Sequence, residues 1–177
     1  TLEIVAHAKS KDSLVFIAAQ VDPEDEHPSI SDLYQVGILA RVIDVRREDD
    51  ADIVVIEGQS RARVTKAVDD SSLLLAEVEV IHDSEDSGVE LSALMQNLKE
   101  LAVQVVKLTP RLPDEVVEVF EHIDDPAQLI DLIATQTSAS VLQKQEILEL
   151  VSVKERARSA MKLLSYERSL LEIIKEI

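Results

Sequence analysis

Residues 123–136 read IDDPAQLIDLIATQ, and this stretch shows most clearly where the chain is helical. Asp125 is a good N-cap, Pro126 occupies the first helical position, where its missing N–H costs nothing, and Gln128 completes a capping box. The apolar residues that follow recur at helical spacing and form one face: Leu129, Ile130, Leu132 and Ile133. The sequence therefore predicts a capped amphipathic helix here, with helices around and after it and mainly strands before it.

The helical pattern extends from about residue 84 to the end of the chain. Three more helix starts are predicted by capping boxes, in which a serine is followed three residues later by Glu or Gln: Ser87 with Glu90, Ser140 with Gln143, and Ser152 with Glu155. Pro110 ends the first of these helices and Pro113 restarts a short one. We therefore predict a helical bundle over residues 84–177.

The last helix is predicted to run from about Val153 to Ile177, which is roughly 38 Å at 1.5 Å per residue. Its first part carries small residues that suit packing within the bundle. Its later part carries a wide stripe of large apolar side chains, which includes Leu163, Leu164, Leu170, Leu171 and Ile174. Two interpretations stay open: an ordinary bundle helix, or a helix that projects toward another domain or subunit.

Residues 1–83 have the patterns of strands, apart from a short helix predicted at residues 1–10. Residues 14–19 form a continuous apolar run, which favours a central strand buried on both faces. Residues 36–45 and 53–56 predict two further strands, joined by a charged hairpin loop at residues 46–52.

Strand patterns continue beyond Gly58, which itself indicates a bulge or bend. Alternation over residues 73–80 predicts an inward face of Leu74, Ala76, Val78 and Val80, opposite an outward face of Leu73, Leu75, Glu77 and Glu79. Together these patterns predict an α+β protein. A small, mostly antiparallel β domain occupies residues 1–83, and an α-helical bundle that ends in a long helix occupies residues 84–177.

The composition excludes several classes of protein. No cysteine is present, which excludes disulfides and thiolate metal sites and suits a reducing cytoplasm. No segment approaches the ~18 apolar residues of a membrane-spanning helix. The net charge is −17, and residues 1–86 hold 20 acidic against 8 basic residues, a net of −12. Nucleic-acid phosphates and anionic lipids repel so acidic a protein, so we expect neither as a partner.

No motif predicts a catalytic or metal-binding site. The chain has three glycines, and they are too far apart for a P-loop or a dinucleotide-binding turn. Its four histidines occur singly, without the spacing of metal ligands. Acidic clusters at residues 22–26, 48–52 and 83–86 lack the ligand pattern of an EF-hand loop. We therefore predict a non-catalytic protein that holds no metal and no cofactor.

Five motifs occur in the order in which a known family has them: DLYQVG at residues 32–37, IEGQSRARV at 56–64, IDDPAQLIDLIA at 123–134, KQEILE at 144–149 and VKER at 153–156. Together they resemble the N-terminal region of Lon, the ATP-dependent protease. The resemblance covers essentially the whole chain. One departure is that the proline-rich opening strand of the family does not precede Thr1.

The resemblance implies a PUA-like β fold, a helical bundle and a long helix. In the family this region engages protein substrates and supports assembly of a homohexamer that degrades misfolded and regulatory proteins in the cytoplasm. ATP and Mg²⁺ bind in an ATPase domain, and a Ser–Lys peptidase follows it, both further along the polypeptide. No catalytic, cofactor-binding or metal-binding residue therefore carries over to this chain.

Three functions are consistent with these features. The leading hypothesis is recognition of unfolded or damaged proteins through exposed apolar side chains, with Leu33, Tyr34, Leu73 and Leu75 as candidates. The alternative is a structural oligomerisation or linker module that acts through the stripe on the last helix. A third is a reader of small ligands or RNA, since PUA-like folds include RNA binders, but the acidic β half argues against RNA.

Overall fold

The computed structural model describes residues 14–48, 51–70, 73–84, 86–109 and 115–176. An antiparallel sheet comes first and helices follow, so the predicted α+β class is confirmed. The chain divides into two compact units, Thr1–His82 and Asp83–Ile177. The short helix predicted at residues 1–10 lies outside the described residues. No helix among the described residues is both long enough and apolar enough to cross a membrane.

The sheet contains four described strands in the order β1-β2-β3-β4, each antiparallel to its neighbour: β1 (Leu14–Ile17), β2 (Val36–Glu48), β3 (Ala51–Asp70) and β4 (Leu73–Val80). The long strand β3 pairs with β2 through its first part and with β4 through its second part. These two pairings overlap only at Ala62 and Arg63. Beyond the overlap, residues 64–70 of β3 and 73–78 of β4 form a two-stranded ribbon among the described residues.

Three bulges interrupt the pairing of β3 with its neighbours. Leu39 pairs with Ser60 and Ala40 with Gly58, which leaves Gln59 as the extra residue and confirms the bulge predicted at Gly58. The other two bulges place the extra residue at Ile43 in β2 and at Thr65 in β3. Each bulge increases the local twist, which curves a strand as long as β3.

The predictions for β1 and for the loop between β2 and β3 are wrong. The run at residues 14–19 is not a strand buried on both faces: β1 is four residues long, with Val15 buried and Leu14 exposed. The hairpin loop at residues 46–52 is shorter than predicted, because pairing continues to Glu48 and Ala51. In both cases the extent of the strand depends on the strand beside it, which an apolar or charged run does not reveal.

Val80 is predicted to face inward but is 39% exposed. Leu74 is also predicted to face inward, and it is 51% exposed. Its partner in the register is Asp69, near the end of the β3–β4 ribbon. In the part of the chain that the structure describes, no third strand extends that far, so alternation cannot produce a buried face there.

Gly37 in β2 lies where the end of β1 approaches its backbone closely. A Cβ atom at this position would lie 2.2 Å from the carbonyl oxygen of Ile17 and 2.8 Å from Cζ of Phe16. By contrast, a Cβ atom at Gly58 would meet Cγ2 of Ile38 at 3.5 Å, an ordinary van der Waals contact.

We predict that Gly37→Ala destabilises the sheet, by about 1–3 kcal/mol, since backbone must move to admit the methyl group. Gly58→Ala is the matched control, and we expect it to change stability far less. Native-state hydrogen exchange of the β2 amides measures both effects on the sheet alone. Equal protection in the two variants would contradict the close approach at Gly37.

The helical unit contains five described helices: α1 (Val89–Leu108), α2 (Glu115–His122), α3 (Pro126–Gln136), α4 (Val141–Glu149) and α5 (Val153–Glu176). Its buried core draws on all five, and its largest fully buried apolar side chains are Leu98, Leu129, Ile130 and Ile133. Small residues Ala157 and Ala160 let α5 pack closely on the core, and both are fully buried.

The described helix starts confirm some of the capping predictions and contradict others. At α3 only the Asp125 half of the predicted capping box forms, without the return bond from Gln128. Asp125 is the N-cap of α3, since its carboxylate accepts from the backbone N–H groups of Ala127 at 2.8 Å and Gln128 at 3.3 Å. The capping box of Ser140 with Gln143 is also confirmed. Before α5, Ser152 Oγ accepts from the N–H of Glu155 at 3.3 Å.

The capping box of Ser87 with Glu90 is wrong. Helix α1 begins at Val89, and its N-cap is Gly88, which adopts a positive φ of 100°. The Glu90 carboxylate instead binds Arg158 and, at 3.3 Å, Lys154. A tertiary ion pair has therefore replaced the local bond that the sequence suggested.

Candidate protein-binding surfaces

Leu33 and Tyr34, two predicted contact residues of the sheet unit, follow a single 3-10 turn at Ile30–Asp32. Leu33 forms a bridge with Gln20, and the N–H of Tyr34 donates to the carbonyl of Ala19 at 2.9 Å. Both side chains are half-buried. This backbone anchoring holds them beside the segment that follows β1, where they present only part of their surface.

Leu75, the third candidate, lies on the β3–β4 ribbon and is 39% exposed. It shares a face with its exposed partner Val68, while Leu74 points to the opposite face. We call Val68, Leu74 and Leu75 the ribbon end. Leu73 lies in β4 as well, but its side chain is outside the described residues.

The structure does not bring the two predicted groups together. Tyr34 lies two residues before Val36, which pairs with Arg63, whereas Leu75 pairs with Val68. Arg63 and Val68 are five residues apart on β3, which corresponds to about 17 Å along the strand. The candidates therefore belong to two separate surfaces, of which the ribbon end is the more exposed.

Charges flank the ribbon end unevenly. Lys66 and Glu77 form an exposed ion pair at 3.7 Å, and Asp69 and Asp70 come next along β3. Residues 66–77 thus hold three acidic residues and one basic residue, a net of −2. The exposed pair of Lys66 and Glu77 contributes little to binding, because exposed charges act weakly and are screened by salt.

On α5, the predicted stripe divides between the core and the surface. Leu164 is only 3% exposed and belongs to the helical core, and Leu163 is half-buried against that core. Leu170 and Leu171 are also half-buried. Ile174 is 66% exposed, so it is the predicted residue that remains available to a partner.

Sequence reasoning missed two other exposed side chains of α5, Tyr166 and Ile173. Ile173 directly precedes Ile174. This pair of adjacent β-branched residues near the end of the helix is the feature of the sequence that could have indicated an exposed apolar surface. The surface of α5 that could contact a partner therefore includes Tyr166 and the exposed pair Ile173 and Ile174, rather than the whole stripe.

A small apolar groove opens on the helical unit between α1, α2, α3 and α5. Its volume is about 110 Å³, and its lining includes Val106, Phe120, Ile133 and Leu171. Glu167 also lines it, but its carboxylate already accepts from Ser138, through Oγ at 2.5 Å and through the backbone N–H at 3.3 Å. The groove has room for about one aliphatic side chain, and the polar residues of its lining are Thr109, Gln136 and Glu167.

Charged side chains cluster where the helical unit begins, at Asp83–Glu90. Arg156 in the first turn of α5 is fully buried, and its guanidinium binds Asp131 of α3 and, at 3.2 Å, Asp83. In the described part of the chain no group of three or more His, Asp or Glu side chains is arranged to hold a metal ion. This cluster is a set of ion pairs.

Asp86 is a second carboxylate of this cluster that binds residues at the start of α5. Its Oδ2 accepts from Ser84 Oγ at 2.7 Å, from Ser152 Oγ at 2.9 Å and from the backbone N–H of Lys154 at 3.2 Å. The hydrogen bond from Ser84, followed by those from Lys154 and Ser152, lowers the pKa of Asp86 to about 2. Nearby Lys154 and Arg158 also lower the pKa of Glu90. We call the bonds made by Asp83, Asp86 and Glu90 to residues 152–158, where α5 begins, the latch.

We predict that Asp86→Asn removes a pH-dependent part of the stability. Because the folded pKa lies below the ordinary value of 3.8, the ionised Asp86 stabilises the fold above about pH 4. That stabilisation is lost as the pH falls toward 2. Thermal melts between pH 2 and 6 should show the variant less stable at pH 6, with the difference shrinking toward pH 2. The control is Asp124→Asn at an exposed position; an equal pH-dependent change there would contradict the role of Asp86.

The comparisons with known proteins agree with this architecture. The family model of the ATP-dependent protease La (LON) substrate-binding domain matches residues 1–166. The chain belongs to this family. The resemblance deduced from the five sequence motifs is thereby confirmed.

Curated relatives of this Lon-family domain match it along its whole length. The Lon protease of Anaeromyxobacter dehalogenans (strain 2CP-C) is 34% identical over 179 residues, covering 100% of this chain and 21% of that protein. Lon protease 2 of Myxococcus xanthus is also 34% identical over 179 residues, covering 100% of this chain and 22% of that protein. The chain thus spans about a fifth of the length of these relatives.

Solved structures of Lon N-terminal domains share the fold. The N-terminal domain of a Mycobacterium avium complex Lon protease matches with a TM-score of 0.75 at 22% identity, covering 91% of this chain and 82% of that one. A Lon N-terminal domain protein from Xanthomonas campestris matches with a TM-score of 0.61 at 18% identity, with the same coverage. At these identities the likeness concerns the fold.

Proposed function

We propose that this domain is the substrate-recognition and assembly region of a Lon-type protease and that it performs no catalytic step itself. In this proposal the whole protein is an ATP-dependent serine endopeptidase of the cytoplasm that works as a homohexamer. ATP and Mg²⁺ bind elsewhere in that protein, and its substrates are misfolded and regulatory proteins. The observation that carries the recognition role is the exposed ribbon end in a member of a substrate-binding family.

Unfolded proteins differ from folded ones chiefly in the apolar segments that they expose. The ribbon end offers them apolar side chains on both faces of a two-stranded ribbon. Burying one such side chain contributes about 1.5–3 kcal/mol before the entropy of association is subtracted. Contacts of this size give weak binding that tolerates many sequences, which suits a protease with varied substrates.

The first test is binding of the 177-residue chain to a reduced, alkylated and permanently unfolded protein and to the same protein in its native form. We predict that the unfolded form binds more tightly. Replacing both Leu74 and Leu75 by Ser should weaken that binding about tenfold, or ~1.4 kcal/mol. Fluorescence anisotropy at low and high salt measures the affinity and its electrostatic part.

The matched control replaces Val141 and Leu142 by Ser, since these are also adjacent, exposed and apolar but lie at the start of α4. Binding should be unchanged in this variant. Equal losses in both double variants, or equal affinity for folded and unfolded protein, would contradict recognition at the ribbon end.

Assembly through α5 is the second candidate, and the exposed Ile173 and Ile174 favour it. Ile174→Asp is a cleaner test than Leu171→Asp, because Leu171 lines the groove of its own unit. We predict that Ile174→Asp abolishes concentration-dependent association of the chain in sedimentation equilibrium while client binding persists. Val119→Asp, at an exposed site on α2, serves as the control. Unchanged association in Ile174→Asp would exclude the end of α5 as a subunit contact.

A further inference from the structure

We propose that the helical unit binds the C-terminal end of a client polypeptide in a second groove, which we call the Lys99 groove. This proposal rests on the proposed recognition function and adds to it a contact that recognises a carboxylate beside apolar side chains. The Lys99 groove has a volume of about 370 Å³ and lies between α1 and the segment that joins α2 to α3. Its apolar lining consists of Leu91, Met95, Ile123 and Pro126.

Lys99 gives this groove a positive charge. Its side chain is half-buried, and Nζ donates to the carbonyl oxygen of Glu121 at 2.9 Å, in the last turn of α2. That bond fixes the position of the ammonium group but does not neutralise it, and no carboxylate of the described residues forms an ion pair with Lys99. An ammonium group has three donors, so two of them remain for a ligand.

The other polar residues of the lining differ from Lys99. Ser92 donates its hydroxyl to the carbonyl of Gly88 at 3.3 Å, and the side-chain amide of Gln96 donates to Glu100 at 3.0 Å. Asp124 is exposed and forms no ion pair with any described residue. The Lys99 groove therefore presents one cation and one carboxylate that do not pair with each other.

The last residue of a polypeptide carries groups that match both charges. Its carboxylate attracts the ammonium group of Lys99, and its backbone N–H is a donor for the carboxylate of Asp124. The lining from Leu91 to Lys99 extends about 12 Å along α1, which is the length of roughly three to four extended residues. A segment with several acidic residues fits less well, because a chain with a net charge of −17 repels it. We therefore assign the groove to an apolar C-terminus with a free carboxylate.

The test compares two forms of one peptide, measured by fluorescence anisotropy with the 177-residue chain. The peptide carries a label at its N-terminus, consists of Gly and Ser residues and ends in leucine and valine, with either a free carboxylate or an amide as its last group. We expect the free acid to bind about fivefold more tightly than the amide, and high salt to reduce this difference. Equal affinities would overturn the proposal, and this comparison needs no variant.

Lys99→Met separates a contact with the carboxylate from support of α2. Methionine keeps an apolar stem of similar length but removes the charge. We expect the free acid to bind about fivefold more weakly to this variant and the affinity for the amide to stay the same. Equal losses for both peptides would mean that Lys99 only supports α2, and would overturn the proposal. Lys107→Met, at an exposed position of the same helix, is the control and should change neither affinity.

The double variant Leu74→Ser and Leu75→Ser distinguishes this proposal from recognition at the ribbon end. Binding of the free acid should be unchanged in it, because both substitutions lie in the sheet unit. A loss of peptide binding in this variant would place the peptide at the ribbon end and overturn the Lys99 groove. If the double variant weakens binding of unfolded protein while the wild-type chain shows no preference for the free acid, only the Lys99 groove is excluded.

Discussion

The helical unit depends on the burial of one guanidinium. Arg156 brings a full positive charge into a core of Leu, Ile, Val and Ala side chains, where only a carboxylate can compensate for the lost hydration. Asp131 and Asp83 supply that compensation from two other segments. A buried ion pair adds little net stability over apolar residues of similar volume, but breaking one is strongly destabilising. The charge therefore fixes which segments meet α5, whereas the apolar core supplies most of the stability.

The described residues of the sheet unit show the opposite situation, since few of their side chains are buried. Its buried cluster consists of Val15, Ala40 and Val42, with half-buried neighbours around it. Since β3 meets its two neighbours together only at Ala62 and Arg63, much of its length lies in a two-stranded ribbon. Such ribbons are marginally stable in water. Exposed apolar side chains at the end of a marginal ribbon adapt readily to different partners.

The sequence predicted correctly those features that depend on interactions between residues close together in the chain. Asp125 and Ser140 cap their helices as expected, because an N-cap needs only the backbone of the next three residues. The capping box predicted for Ser87 and Glu90 does not form. Glu90 instead binds Lys154 and Arg158, which lie about 65 residues away in sequence. The prediction that Leu74 faces inward was wrong for a similar reason. Whether Leu74 is buried depends on a neighbouring strand, which the alternation of apolar and polar residues does not reveal.

The candidate site could be predicted only in part. The alternation along β4 predicted that Leu75 faces outward. The exposure of Val68 and Leu74 could not be predicted without the register of β3 and the lengths of its neighbouring strands. The role of Arg156 was missed because an arginine in a charged helix start is normally solvated. A signal was present, since Val153 and Ala160 lie three residues before and four residues after Arg156 and place it on the apolar face of α5.

Adaptable binding and a firm helical scaffold require opposite kinds of structure, and the two units of this chain differ in that way. The β3–β4 ribbon has few buried contacts, which suits adaptable binding. The latch ties the starts of α1 and α5 together, because Asp86 accepts a hydrogen bond from the backbone of Lys154 and Glu90 binds Lys154 and Arg158. Since the guanidinium of Arg156 is fully buried, removing the carboxylates that bind it would be strongly destabilising. The helical unit is therefore held by charged groups where α5 begins and by apolar packing along the helices.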